Sequence, residues 1–160
     1  MRRIAGLLGL SALLAVGATG VSAQEKAGRY SLSPAEGVPQ FHQQMVYAVA
    51  MTTIRRFEDA LGRTALWAPR YVNGRHQYVQ RLRIYPHALR EANAYYSPEK
   101  VALLFGYFQA LPEGAGDNLP GGMVFNCLSH DVIAHETTHA LVDGLHRSYR
   151  HETNADIAAF

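Results

Sequence analysis

His135-Glu136-Thr137-Thr138-His139 carries the residue types and spacing for metal chemistry. Two imidazoles four positions apart fall on one face of a helix, close enough for both rings to reach a single ion. Zinc suits such a pair, and Glu136, next to the first imidazole, projects beside it as a base for a bound water. The chemistry within reach is hydrolysis by activated water. Zinc also needs a third protein ligand, and only 21 residues follow His139 to supply one.

The surrounding sequence must place these groups. Five of the eight histidines lie between His130 and His151, so the enrichment is local rather than spread along the chain. Residues 123–125 (Met-Val-Phe) read as a short apolar strand. Asn126 or Ser129 can cap a following helix, and Asp131 puts negative charge in its first turn. Val132, Ile133, Ala134, Ala140, Leu141 and Val142 give that helix a broad apolar surface, and Gly144 reads as its stop. A helix this apolar is buried, and two histidines and a Glu inside it need partners, which a metal provides. The competing reading is a His-rich helix satisfied by local hydrogen bonds.

The N-terminus reads as a secretion signal. Arg2-Arg3 is the charged region, residues 4–21 are apolar, and Val21-Ser22-Ala23 offers small residues for cleavage before Gln24. An uncleaved anchor is the alternative, because the run approaches membrane-spanning length. The full chain has 15 basic and 13 acidic residues; loss of residues 1–23 removes Arg2 and Arg3 and leaves 13 against 13. The slight basic excess therefore belongs to the signal and does not point to nucleic acid. The expected location is the bacterial periplasm or the exterior, with no stable membrane association after cleavage. Cys127 is the only cysteine, so no internal disulfide forms. It reads as a small buried residue at the start of the metal-binding helix, not as a nucleophile.

Three regions follow from the pattern: a signal over 1–23, a polar Pro- and Gly-bearing leader over 24–40, and one domain over 41–160. Residues 41–61 have Met45, Val49, Ile54, Phe57 and Leu61 near helical spacing, with Gly62 as the stop. A strand-rich middle begins at Trp67. Residues 78–85 read as extended, ended by Pro86, with Arg81 and Arg83 on a solvated face. Tyr95-Tyr96 and residues 101–108 are two more strands, joined through Ser97-Pro98-Glu99-Lys100 as a type I turn. Residues 112–122, rich in Gly and Pro, form a loop. His42, His76 and His87 read as scattered surface residues. Asp156-Ile157-Ala158-Ala159-Phe160 resembles the opening turn of a helix, so the expectation is an N-terminal portion of a longer protein.

Two segments resemble the thermolysin-like zinc peptidases, in which the third ligand is Glu. Asp131 to Ala140 resembles that family's active-site helix, and Asn93-Ala94-Tyr95-Tyr96 resembles the edge strand on which it lays out peptide substrate. More narrowly, Arg83-Ile84-Tyr85-Pro86-His87-Ala88 through Phe108, with the helix, resembles an uncharacterised bacterial family of zinc peptidases. The resemblance covers about residues 80–150. It implies an α+β fold in which a small strand-rich N-terminal lobe sets an edge strand beside a buried zinc-binding helix, incomplete at the C-terminus. It also implies zinc on His135 and His139, Glu136 as general base, and substrate backbone held by Asn93 and Ala94. Asp131 and Asp143 match in position without an assigned role. Glu152, with Asp156 four residues on, is one candidate third ligand. A Glu beyond residue 160 is preferred, and His146 and His151 are the others. The implied function is hydrolysis of a peptide or protein substrate. The alternative is an exported zinc-binding scaffold domain without catalysis.

Overall fold

A computed structural model describes residues 5–6, 35–113, 116 and 118–150. The other residues up to 34, on which the expected secretion signal and most of the expected leader fall, lie outside the described residues, as do His151, Glu152 and Asp156. The fold is α+β. In chain order it contains β1 (Ala5–Gly6), α1 (Pro39–Leu61), β2 (Arg70–Val72), β3 (Arg75–Gln77), β4 (Arg83–Leu89), β5 (Ala94–Ser97), β6 (Ala102–Gln109), β7 (Met123–Phe125) and α2 (His130–Leu145), with 3-10 turns at Asn126–Leu128 and Arg147–Arg150.

Helix α1 forms where the apolar period is 3.6. His42, Val46, Val49, Ala50 and Ile54 are its buried residues and fall on one stripe. Pro39 suits its first turn, and Gly62 ends it in the left-handed conformation (φ 64°) with its N–H on Glu58 O. The buried stripe packs against α2.

Strand β6 is the centre of the sheet. Its residues Ala102 to Gly106 are buried, an apolar run expected of a strand covered on both faces. The order is β1-β4-β6-β5, with β4 parallel and β5 antiparallel to β6, and β7 pairs antiparallel with the far end of β6. Strands β4 and β5 flank β6, so the short chain between them crosses over it at Gly106. A Cβ there would collide with the carbonyl oxygens of Glu91 and Asn93, which is why the position is glycine. Leu103, Phe105, Ile84, Ile133 and Leu141 are at most 2% exposed, each stabilising the fold by about 1.5–3 kcal/mol through burial. Among the described residues, no helix is long and apolar enough to cross a membrane.

Two local readings, at Pro86 and Gly144, need correction, and one hairpin is new. Pro86 does not end a strand: β4 starts at Arg83 and runs through it. The pairing with β6 shifts between Tyr85 and Leu89, so Pro86, which has no N–H to donate, falls where the ladder is broken. Residues 70–77 fold as a β2–β3 hairpin. Asn73 (φ 50°) and Gly74 (φ 76°) form its turn, the two-residue pattern with both central φ positive. Gly144 does not stop α2, which continues to Leu145. Its missing side chain instead admits the backbone of Leu66, whose carbonyl a Cβ would strike.

Gly144→Ala therefore sets two effects against each other. Helix propensity favours Ala by about 1 kcal/mol, whereas displacing a packed backbone segment costs about 1–3 kcal/mol. The obstacle is main chain, so the steric term wins. Urea denaturation should show a less stable Gly144→Ala chain; a more stable one would mean that residues 64–67 yield freely.

Candidate active site

Helix α2 turns its two faces to different tasks. Ile133, Thr137, Ala140 and Leu141 are buried against the core, whereas His135 is exposed and His139 half-buried on another flank. The expectation that the two histidines and the Glu lie buried thus holds only for Glu136, which is 8% exposed. Helical spacing is the reason, since 135 and 139 lie well round the helix from 133, 137 and 140. Thr137 and Thr138 donate their hydroxyls to Ile133 O and Ala134 O, so these β-branched residues leave no unsatisfied polar group. Ser129 occupies the N-cap position without a side-chain cap bond. Asn126 lies in the preceding turn and donates its Nδ2 to Asn93 O at 2.8 Å.

The imidazoles face one another. His135 Nε2 and His139 Nε2 are 2.9 Å apart, with the rings nearly perpendicular (88°). Two nitrogens aimed at a common point are what a single cation requires of i, i+4 histidines, so the residues present fit two of a zinc ion's ligands. Burial, with His135 adding to it, lowers the pKa of His139 and favours its neutral, ligating form. Among the described residues, no third His, Cys, Asp or Glu atom groups with this pair.

Glu136 reaches the sheet. Its Oε2 accepts the main-chain N–H of Tyr96 in β5 at 2.8 Å. Seven residues along α2, Asp143 Oδ2 accepts the Tyr96 hydroxyl at 2.8 Å, and Asp143 is 3% exposed. Burial raises the pKa of Glu136, against the opposing pull of the Tyr96 N–H and of His135. Tyr96 and Asp143 are thus positioning residues that the sequence alone did not expose, because their contact spans 47 positions.

Among the described residues, strand β5 is the last in the sheet order and so an edge. The carbonyl of Asn93 points inward and accepts from Gly106 N, while Tyr96 N points outward to Glu136. Antiparallel alternation then turns the main-chain N–H and C=O of Ala94 to the outer edge. The backbone of Asn93 is committed to the framework, and its exposed side chain remains.

A second cluster stands apart from the helix motif. His42, His87 and Cys127 offer ligand atoms that all lie within 4.8 Å of one another, a geometry able to hold a metal ion. His42 is 1% exposed, which overturns its reading as a surface residue; His76 and His87 are exposed. Comparisons with protein-family models, curated proteins and solved structures give no match to this chain.

Two outcomes follow for the metal-free chain. Tyr96→Phe removes a buried donor facing a carboxylate and should cost about 1–3 kcal/mol in urea denaturation; an unchanged midpoint would mean that Asp143 does not depend on it. The raised pKa of Glu136 means that the folded chain binds more protons than the unfolded chain above the ordinary 4.5. Its contribution to stability therefore falls as pH rises from about that value through the folded pKa. With chelator present, Glu136→Gln should flatten this decline in a pH series of thermal melts, and an identical slope would contradict the assignment.

Proposed function

We propose that this chain contributes the zinc-binding helix and substrate edge of a thermolysin-like metallopeptidase, exported to the periplasm or secreted, acting on a peptide or protein. The observation that carries the reading is the bond from Glu136 to the outward N–H of Tyr96. It sets the base between a pair of converging imidazoles and a free strand edge.

His135 and His139 would hold a zinc ion through Nε2, and the ion would supply the Lewis acidity that lowers the pKa of a water and polarises a carbonyl. Glu136 takes the proton of the attacking water and returns it to the departing amine nitrogen. The Tyr96 N–H fixes Oε2 of Glu136. The outward main chain of Ala94 pairs with an extended substrate, and the side chain of Asn93 adds a polar contact beside it. Glu152, His146 and His151 are the candidates for the third zinc ligand within this sequence.

The test combines metal analysis with a quenched peptide substrate. His139→Ala should lose one equivalent of zinc relative to the parent. Loss of the same equivalent in Glu152→Ala assigns that residue as third ligand. Glu136→Gln should keep the zinc and lose turnover by about 10²–10⁴-fold, the range of a general base. Full hydrolytic rate in Glu136→Gln would remove Glu136 as the base. Zinc binding without hydrolysis in the parent would favour the scaffold reading.

A further inference from the structure

His42, His87 and Cys127 come from three elements: α1, the irregular stretch of β4, and the 3-10 turn that precedes α2. Their convergence is built rather than incidental. His42 and Cys127 are 1% and 0% exposed, and a polar side chain so deeply placed needs partners. His42 Nε2 lies 2.6 Å from the carbonyl oxygen of Glu36. A carbonyl only accepts, so Nε2 carries the proton and Nδ1 presents a bare lone pair to the cluster. A backbone acceptor that fixes the tautomer and orientation of an imidazole is the usual outer support of a metal-bound histidine.

The opposing nitrogen, His87 Nε2, is 2.8 Å from His42 Nδ1. Both rings are wedged by Phe125, at centroid distances of 4.5 and 5.6 Å, and Tyr107 stands edge-on to His87. The aromatic wall gives the cluster a dry side and holds the rings in place. The exposed side of His87 leaves a path for an ion to enter. His87 lies in residues 86–88, where β4 leaves its ladder with β6, and such an irregularity re-aims a side chain.

We propose that His42 Nδ1, His87 Nε2 and Cys127 Sγ form a second metal site, separate from His135 and His139, that takes one zinc-class cation and ties α1 and β4 to the base of α2. Two imidazole nitrogens and one sulfur suit zinc and its neighbours among the transition metals, and not calcium or magnesium, which require oxygen. Zinc bonds of about 2.0–2.1 Å to nitrogen and 2.3 Å to sulfur require the sulfur to close in by roughly an ångström. On binding, the Cys127 thiol releases its proton to solvent and its sulfur becomes the anionic ligand. The proton on His87 Nε2 passes to Nδ1. Without an ion, burial pushes the Cys127 thiol up to about 12, and burial with His42 nearby lowers the pKa of His87. The neutral form of His87 is thus favoured, whereas the thiolate of Cys127 waits on a cation, so affinity rises with pH.

The experiment uses the full chain carrying His135→Ala and His139→Ala, so that its outcome is independent of the peptidase reading. Titration with cobalt(II) should give a near-ultraviolet sulfur-to-cobalt charge-transfer band that saturates at one equivalent, and zinc should displace it. Zinc should also raise the melting temperature of this chain. Adding Cys127→Ser should abolish the band and the zinc-induced rise. Because a change at a buried residue can perturb folding, His87→Gln is made in parallel at the exposed ligand. It should weaken cobalt binding at least tenfold while leaving the melting temperature in chelator unchanged. No charge-transfer band, or a zinc response that survives both substitutions, would overturn the proposal and leave a hydrogen-bonded histidine pair beside an inert thiol.

Discussion

Tyr96 fixes where helix and sheet meet. Its main-chain N–H and its hydroxyl reach two carboxylates of α2, Glu136 and Asp143, seven residues and therefore about two helical turns apart. One bond would permit the helix to pivot about the strand. Two bonds spaced along the helix axis set both its rotation and its translation. Both carboxylates are largely buried, so each depends on its donor to offset the loss of water. Tyr96 in turn is held opposite Leu103 by the β5–β6 ladder. The flank bearing His135 and His139 thus has its orientation determined by a strand that touches neither imidazole through this pairing.

Two close backbone approaches make that arrangement possible. At Gly106 the chain between β4 and β5 passes directly over β6, and at Gly144 the carbonyl of Leu66 presses against α2. The first places β5 on the far side of the central strand, where it becomes an edge. The second brings residues 64–67 onto the helix, with Ala65 N held by the Glu58 side chain at the end of α1. Apolar burial supplies the larger share of the stabilisation, but it is non-directional. The glycines and the carboxylate bonds decide which of the many compact packings is adopted.

Local signals in the sequence reached the elements that local forces make. Helix α1 with its Gly62 stop, the β5–turn–β6 unit and β7 all follow from period and punctuation. His135, Glu136 and His139 were legible together because one helix carries all three. Pro86 misled because a broken ladder tolerates a residue that a regular strand would not. Asn73-Gly74 carries a hairpin signal, but its flanks hold few alternating apolar residues to mark them as strands. The remaining features join distant positions. Nothing near His42 announces His87, 45 residues on, and nothing near Tyr96 announces Asp143. Gly144 reads as a helix stop until the carbonyl that it accommodates is known.

The outer edge of β5 is also the place where this molecule could join another copy of itself, since a strand edge can accept an extended chain. The rim is four residues long, and Glu136 already occupies the outward N–H of Tyr96. A foreign strand can therefore zip along only a fraction of it before meeting a carboxylate that accepts hydrogen bonds but has none to give. The same side chain that binds the helix to the sheet thus acts as a stopper against runaway sheet growth.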